Sequence, residues 1–403
     1  MDLGHADVLK TRTMPDWIGN FDDRLGVEPP LSDEQLARVP ARRGVVAMLA
    51  EDDRPILLMT AGDIRARVRT RLQERDENTS RKSADLRQIT RSVLWKLAYS
   101  HFETDLRFLA LCRSIWPAKY AAMLGWKPAW FVHVNAADDY PHFSATRKVF
   151  ASRGRYLGPF SGERAAQRFI DAVHDGFDLC RDYRCLRQSP NAECCAYGQM
   201  GRCLRPCDGT ISMEEYRRAV AEADAFGAGA RDDLRGRLQG RMRAAAEKLQ
   251  FELAGRIKAR LQRLSELDSP EFEHARPAEE FQFILVERSD SRRRAKVFLV
   301  DRGRIAEPPP LAYPPQANEI ESVLAEMARL AASPRQCGEE EPWVIGLASR
   351  YLFSSERMKG LMVRWRAQLG AEALAARIED ARELLSLREP RRRPAKPPGK
   401  SRG

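Results

Sequence analysis

Six of the eight cysteines in this 403-residue chain fall between Cys180 and Cys207. Thiolates are soft ligands, and such crowding suits a closed tetrahedral zinc site or an iron–sulfur cluster better than it suits core filling. Cys203 and Cys207 are four apart, so one short loop or helical turn can present both to one centre. Cys195 lies eight residues before Cys203, and Cys180 fifteen before Cys195. A metal bound there would staple a segment that has no sustained hydrophobic periodicity of its own. The chain carries no apolar run near the roughly 20 residues that span a bilayer. Its opening Met1-Asp-Leu-Gly-His5 lacks the pattern of a secretion signal. A cytoplasmic protein without a membrane partner is therefore expected, and in a reducing compartment clustered cysteines act as ligands more often than as disulfides.

Charge is the second feature with chemical consequence. The formal net charge is +11, and +6 of it lies in residues 388–403, a Pro-, Lys- and Arg-rich tail. A tail of this kind reads as disordered, either raising affinity for any polyanion through counterion release or simply solubilising the chain. Residues 231–263 hold ten basic side chains against Asp232, Asp233, Glu247 and Glu252, which fits a solvated face or a DNA contact.

The elements that must position these groups read as a multidomain α+β protein. Residues 1–40 form an N-terminal extension, irregular except for a short helix opened by the capping box Ser32-Asp-Glu-Gln35. Gly44–Leu49 and Pro55–Met59 read as strands joined by a tight turn. Ile64, Val68 and Leu72 recur at helical spacing, residues 90–115 read as helical, and Trp130–Val134 reads as a strand. Together they make an α+β domain over 41–150. The cysteine segment occupies 151–211. A helical region follows over 212–268, opened by the capping box Ser212-Met-Glu-Glu215 and continued after Gly229 by one long helix to about Leu267. Its apolar stripe is Met242, Ala246, Leu249, Leu253, Ile257, Leu261 and Leu264, while Phe251 and Ala254 lie off that stripe and imply a second bound partner. A small α+β domain spans 278–388, with a hairpin of 281–286 and 295–300 and helices near 317–332, 355–367 and 371–387. The basic tail is 389–403.

Cys180-Arg181-Asp182, Cys195-Ala196-Tyr197, Gly201-Arg202-Cys203 and Pro206-Cys207-Asp208-Gly209, preceded by Tyr156-Leu157-Gly158-Pro159-Phe160, resemble the pattern of the bacterial excision-repair nucleases UvrC and Cho. The resemblance covers about 155–265. It implies Cys180, Cys195, Cys203 and Cys207 as the ligands of zinc or an iron–sulfur cluster, with Cys185 and Cys194 as alternates. The run from Met242 to Ile257 is similar to the UVR motif, a helical hairpin that pairs with the matching hairpin of UvrB. This assigns partner binding, or self-association, to Phe251, Glu252, Ala254 and Arg256. The motif's usual Arg-Asp is replaced here by Lys258-Ala259.

That family opens with a GIY-YIG nuclease domain, and 41–120 resembles its scaffold. Gly44-Val-Val46 stands for Gly-Ile-Tyr, Leu57-Leu-Met59 for Tyr-Ile-Gly, and the following helix keeps Arg65 and Arg67 as implied phosphate or DNA contacts. Phosphodiester cleavage needs a metal-bound carboxylate and a group beside the attacking water. Both tyrosine positions are aliphatic, at Val46 and Leu58, and Phe108 stands where the metal-binding glutamate belongs, with Tyr120 or Ala121 in place of its asparagine. The expectation is a UvrC/Cho-like repair protein that binds DNA and docks a UvrB-like partner without nuclease chemistry. The alternative is an active endonuclease using Mg or Mn with Arg67 and a displaced carboxylate, Glu103. Residues 278–388 are too short for the RNase H-like nuclease and helix-hairpin-helix tail of UvrC.

Overall fold

The computed structural model describes residues 15–28, 31–72, 86–334, 341–354 and 360–388. The expected basic tail, 389–403, lies outside the described residues. Among those described, no helix is long and apolar enough to cross a membrane.

The first unit contains β1 (Asp23–Gly26), α1 (Asp33–Arg38), β2 (Gly44–Leu49), β3 (Pro55–Ala61), α2 (Ile64–Leu72), β4 (Ser92–Leu97), α3 (His101–Ile115) and α4 (Tyr120–Met123). Its antiparallel sheet has the order β1-β4-β2-β3. The expected β2–β3 hairpin is present, with Asp52 and Asp53 in left-handed backbone at the turn. Ser32 and Gln35 form the expected reciprocal cap on α1. β2 is buried along its whole length because both faces are covered. Val46, Met48, Val93 and Trp95 face α1 and α2, whereas Val45, Ala47, Leu49, Leu58 and Leu94 face α3.

Two expectations for this region need correction. Residues 92–97, read as helical, are β4, a strand in which Val93 and Trp95 serve one core and Leu94 the other. The helix begins only at Ser100, whose hydroxyl caps the Glu103 N–H. β1 belongs to the first sheet, pairing Leu25 with Val93, so part of the expected extension is structural.

The second unit contains β5 (Trp130–Val134), β6 (Ser144–Thr146), β7 (Arg155–Phe160), α5 (Glu163–Phe177), α6 (Tyr183–Leu186), α7 (Ala196–Gln199), α8 (Met213–Gly227), α9 (Arg231–Glu247), α10 (Phe251–Ser265) and β8 (Arg276–Pro277). The sheet order β6-β5-β7-β8 joins strands from both sides of the boundary expected at residue 150. Helices α5, α8, α9 and α10 supply the core above it. The single helix expected after Gly229 is two helices. The chain reverses at Lys248–Gln250, where Leu249 takes φ +59°, and α10 returns along α9.

The third unit contains β9 (Gln282–Arg288), β10 (Arg294–Asp301), β11 (Arg304–Ala306), β12 (Leu311–Ala312), α11 (Ala317–Ala332), α12 (Glu341–Leu352), β13 (Leu361–Arg364) and α13 (Ala371–Asp380). Its sheet runs β11-β10-β9-β13, with β12 also on β10. The helix expected over 355–367 is contradicted at 361–364, a strand paired to β9 with Leu361 opposite Val286; residues 355–359 are outside the described set. The helix over 371–387 ends at Asp380 and gives way to turns.

One packing relation organises the rest. The α3-facing side of the first sheet and Phe283, Leu285, Phe298 and Val300 of the third sheet enclose α3 and α12 in one core. Phe102 of α3 meets both Phe298 and Tyr351 edge-on at 5.3 Å. Edge-to-face aromatic contacts of this kind add about 0.5–1.5 kcal/mol beyond area burial. The opposite face of the third sheet packs on α11 and α13. Helix α3 is therefore a shared layer between two sheets.

Candidate functional site

The cysteine segment follows α5, and the last turn of that helix organises it. Asp175 receives the guanidinium groups of both Arg181 and Arg202. The arginine of Cys-Arg-Asp and that of Gly-Arg-Cys are thus pinned to one carboxylate, which brings two motif halves together. Asp182 accepts from the Arg184 and Cys185 N–H groups and starts α6. Asp208 accepts from Arg205 and Thr210, and these bonds hold its carboxyl at about 2, below the usual range. Arg205, Gly201 and Gly209 all have positive φ, giving the tight turns that fold the loop back on itself. Arg181 also lies over the Tyr197 ring at 5.0 Å. Asp175 is the organiser that residue types and spacing did not single out.

Within that frame the Cys180 thiol donates to Asp182 O at 3.3 Å, and the closeness of Cys180 and Cys203 moves the two thiols apart, Cys180 up and Cys203 down. The backbone N–H of Arg205 points at the Cys203 sulfur at 3.4 Å, and Tyr216 Oη accepts from the Cys180 N–H at 3.2 Å. An N–H donor on a sulfur favours its thiolate form. Burial raises Cys207, which also feels the thiols of Cys203, Cys195 and Cys185. Cys194 is turned instead toward Gly198 and Asp208. The donor chemistry fits a soft metal, with the thiols of Cys180, Cys203 and Cys207 buried in the loop. The geometry is looser than a coordination shell: among the described residues no group of three or more His, Cys, Asp or Glu is arranged to hold a metal ion.

The α9–α10 hairpin is fixed at its base and free at its tip. Arg260 Nε donates to Gly176 O at 3.0 Å and Arg263 Nε to Asp175 O at 2.6 Å, so the hairpin base satisfies carbonyls at the end of α5. Arg231 and Arg235 bind Asp268, and Arg237 binds Glu222. Five of the ten basic side chains are therefore engaged in the fold. Arg241, Arg243, Lys248, Arg256 and Lys258 remain exposed, closer to the tip. There Leu249 is 73% exposed and Phe251 68%. Glu252 and Arg256 are exposed too, and Ala254 is half-buried.

The first unit presents its residues differently from expectation. Arg65 donates from Nε to Val39 O at 2.6 Å and from Nη2 to Ala37 O at 2.9 Å, capping the C-terminal carbonyls of α1. Arg67 is exposed on α2. Val46 and Leu58 are core residues, as is Phe108. Glu103 is only 1% exposed. Its Oε1 carries Lys296 of β10 and Arg107, and its Oε2 accepts the Tyr99 N–H at 2.9 Å. Arg107 and Lys296 both lie beside Glu307 as well. Arg107 lies one helical turn from Glu103, but Lys296 comes from 193 residues downstream, where no spacing rule could have found it.

Residues 129–226, from β5 to near the end of α8, match the UvrC/Cho excinuclease middle domain. UvrABC system protein C of Caldanaerobacter subterraneus subsp. tengcongensis is 27% identical over 278 residues, 68% of this chain and 44% of that protein. The protein of the same name from Lachnospira eligens is 30% identical over 238 residues, 56% of this chain and 37% of its own length. That from Leptospira biflexa serovar Patoc is 32% identical over 137 residues, 34% of this chain and 22% of its own length. No solved structure matches. The clamp on Asp175 thus sits inside the segment that matches the UvrC/Cho excinuclease middle domain. The chain is similar to UvrC proteins over this region and beyond it, and it spans less than half the length of these relatives.

Proposed function

We propose that this chain is a nucleotide-excision-repair protein that binds DNA and docks a UvrB-type partner without cutting the strand itself. The observation that carries this reading is the state of α3. Metal-assisted phosphodiester cleavage needs a carboxylate with open access to a metal and to water. Glu103 is sealed from solvent and engaged by Lys296 and Arg107. Phe108 packs in the core shared with the third sheet. Arg67 and the exposed cations of the hairpin support binding to phosphates, and Arg65 is left out of that role by its capping bonds.

The hairpin tip supports docking. Large apolar side chains exposed together and rimmed by charge mark interaction surfaces, and Leu249 with Phe251 among Lys248, Glu252 and Arg256 has that composition. We assign Phe251, Glu252, Ala254 and Arg256 to that contact, as in a UVR hairpin. Cys180, Cys195, Cys203 and Cys207 would hold zinc or an iron–sulfur cluster, with Cys185 as alternate. A bound metal would supply a crosslink between the two halves of the loop.

The test is incision of damaged and nicked duplexes with Mg²⁺ or Mn²⁺, measured beside DNA binding. The expected outcome is binding that weakens steeply with salt and no strand cleavage. Reproducible incision abolished by Arg67→Ala, an exposed position, overturns the reading in favour of an active endonuclease.

A further inference from the structure

A cavity of about 650 Å³ lies between the second and third units, against α12 and the start of α5. Ligand sites typically measure about 300–1,000 Å³. Its charged lining residues are Lys127, Arg147 and Arg350 against Glu163, a surplus of two positive charges. The opening turn of α5 forms part of the wall. Its N-cap is Gly162, which has no side chain to bond the free N–H groups of the first turn. Free N–H groups and the positive end of a helix of this length attract anions.

Two further observations point to a missing partner. Ser349 lines the cavity, is 3% exposed, and its Oγ is a buried polar atom without a hydrogen-bond partner among the described residues. Arg147 Nε is likewise buried and unpaired among them, although its guanidinium is fixed over the Trp130 ring at 4.7 Å. Buried polar groups are normally satisfied by protein, water or ligand. The walls are preset: a Cβ on Gly346 would stand 2.4 Å from Lys127 O, so α12 lies tight against the 127–128 backbone. Among the described residues Arg350 pairs loosely with Asp105 at 3.7 Å.

We propose that this cavity binds the phosphate monoester of a nucleotide, with the phosphate held between the α5 N-terminus, Arg147 and Arg350. A phosphate monoester carries about −1.5 to −2 at pH 7 and three acceptor oxygens. That charge matches the surplus of the lining, whereas a chain-internal diester carries only one negative charge. The volume leaves room for a nucleoside beside Trp130. The monoester can come from a strand end or from a free nucleotide. The proposal does not rest on the repair reading, since incision and partner docking involve other surfaces.

The test compares 5′-phosphorylated and 5′-hydroxyl oligothymidylate, and thymidine monophosphate against thymidine, by titration calorimetry at fixed salt. The phosphorylated form is expected to bind at least about tenfold more tightly, the value of one charge-assisted hydrogen bond. That preference should disappear in Arg147→Gln and shrink in Lys127→Gln, an exposed position that leaves packing intact. Affinity for the 5′-hydroxyl strand should be unchanged in both. A preference seen with the free nucleotide assigns small-molecule binding, and one seen only with oligonucleotides assigns a strand end; either supports the site. Equal affinity for both ends, or a preference that survives both substitutions, overturns it.

Discussion

Replacing Glu103 by Gln tests whether this carboxylate is a structural joint or a displaced catalytic group. The substitution keeps the side-chain volume and removes the negative charge. Lys296 and Arg107 then lose their shared partner, but their side chains are 21% and 23% exposed and Glu307 remains beside both. Breaking a fully buried ion pair by removing one partner costs about 3–5 kcal/mol. With that fallback, Glu103→Gln should cost about 2–3 kcal/mol. Lys296→Met leaves the less forgiving orphan, a carboxylate 2% exposed that retains only Arg107 at 3.3 Å and the Tyr99 N–H. Its loss should lie at the upper end, about 3–4 kcal/mol. Urea unfolding followed by tryptophan fluorescence gives each value, and the double mutant gives their coupling, expected at about 1–3 kcal/mol. If Glu103→Gln lies within about 0.5 kcal/mol of the parent protein and the coupling is near zero, the carboxylate is not a joint and the argument from burial fails.

Three further outcomes are expected. Leu249→Ser and Phe251→Ser, at side chains more than two-thirds exposed, should change stability by no more than about 0.5 kcal/mol while weakening capture of a UvrB-type hairpin at least about tenfold; unchanged capture removes the tip from the interface. Metal content measured after anaerobic purification should fall in Cys180→Ser and Cys203→Ser but not in Cys194→Ser, whose thiol faces Gly198 and Asp208; equal content in all three refutes the ligand assignment. Burial pushes Glu287 up to about 7, so it stays protonated in the folded chain after its unfolded counterpart has ionised. The folded state then holds the extra proton, and stability should decline as pH rises from about 4.5 to about 7 and level off above. Glu287→Gln should flatten that decline in pH-dependent melting, and an unaltered slope would assign it to another group.

Local signals in the chain were read well where chemistry fixes backbone. The boxes at Ser32/Gln35 and Ser212/Glu215 began α1 and α8 as expected, because each side chain has a single best use there. The β9–β10 hairpin and α11 were legible for similar reasons. β4 was not, since Ser-Val-Leu-Trp-Lys-Leu is apolar on both faces and its period is ambiguous until the two cores are known. The α9–α10 reversal carries no Gly or Pro; Leu249 supplies the left-handed residue unannounced. At the site, cysteine spacing was visible, but the Asp175 clamp and the Glu103–Lys296 pair join residues whose proximity only tertiary packing creates.

On the proposed reading, in which this chain does not cut, the placement of α3 between two sheets bears on how nuclease chemistry could be gained. In an exposed cleft, a missing carboxylate is one substitution away from restoration. Here Phe108 faces a filled interior, with Phe102 wedged between Phe298 and Tyr351 one and a half turns earlier. A glutamate at 108 would be an unpaired charge in that interior, which costs several kcal/mol or forces protonation. Packing thus acts as a ratchet: a carboxylate at 108 would require the third unit to be lifted from α3 first.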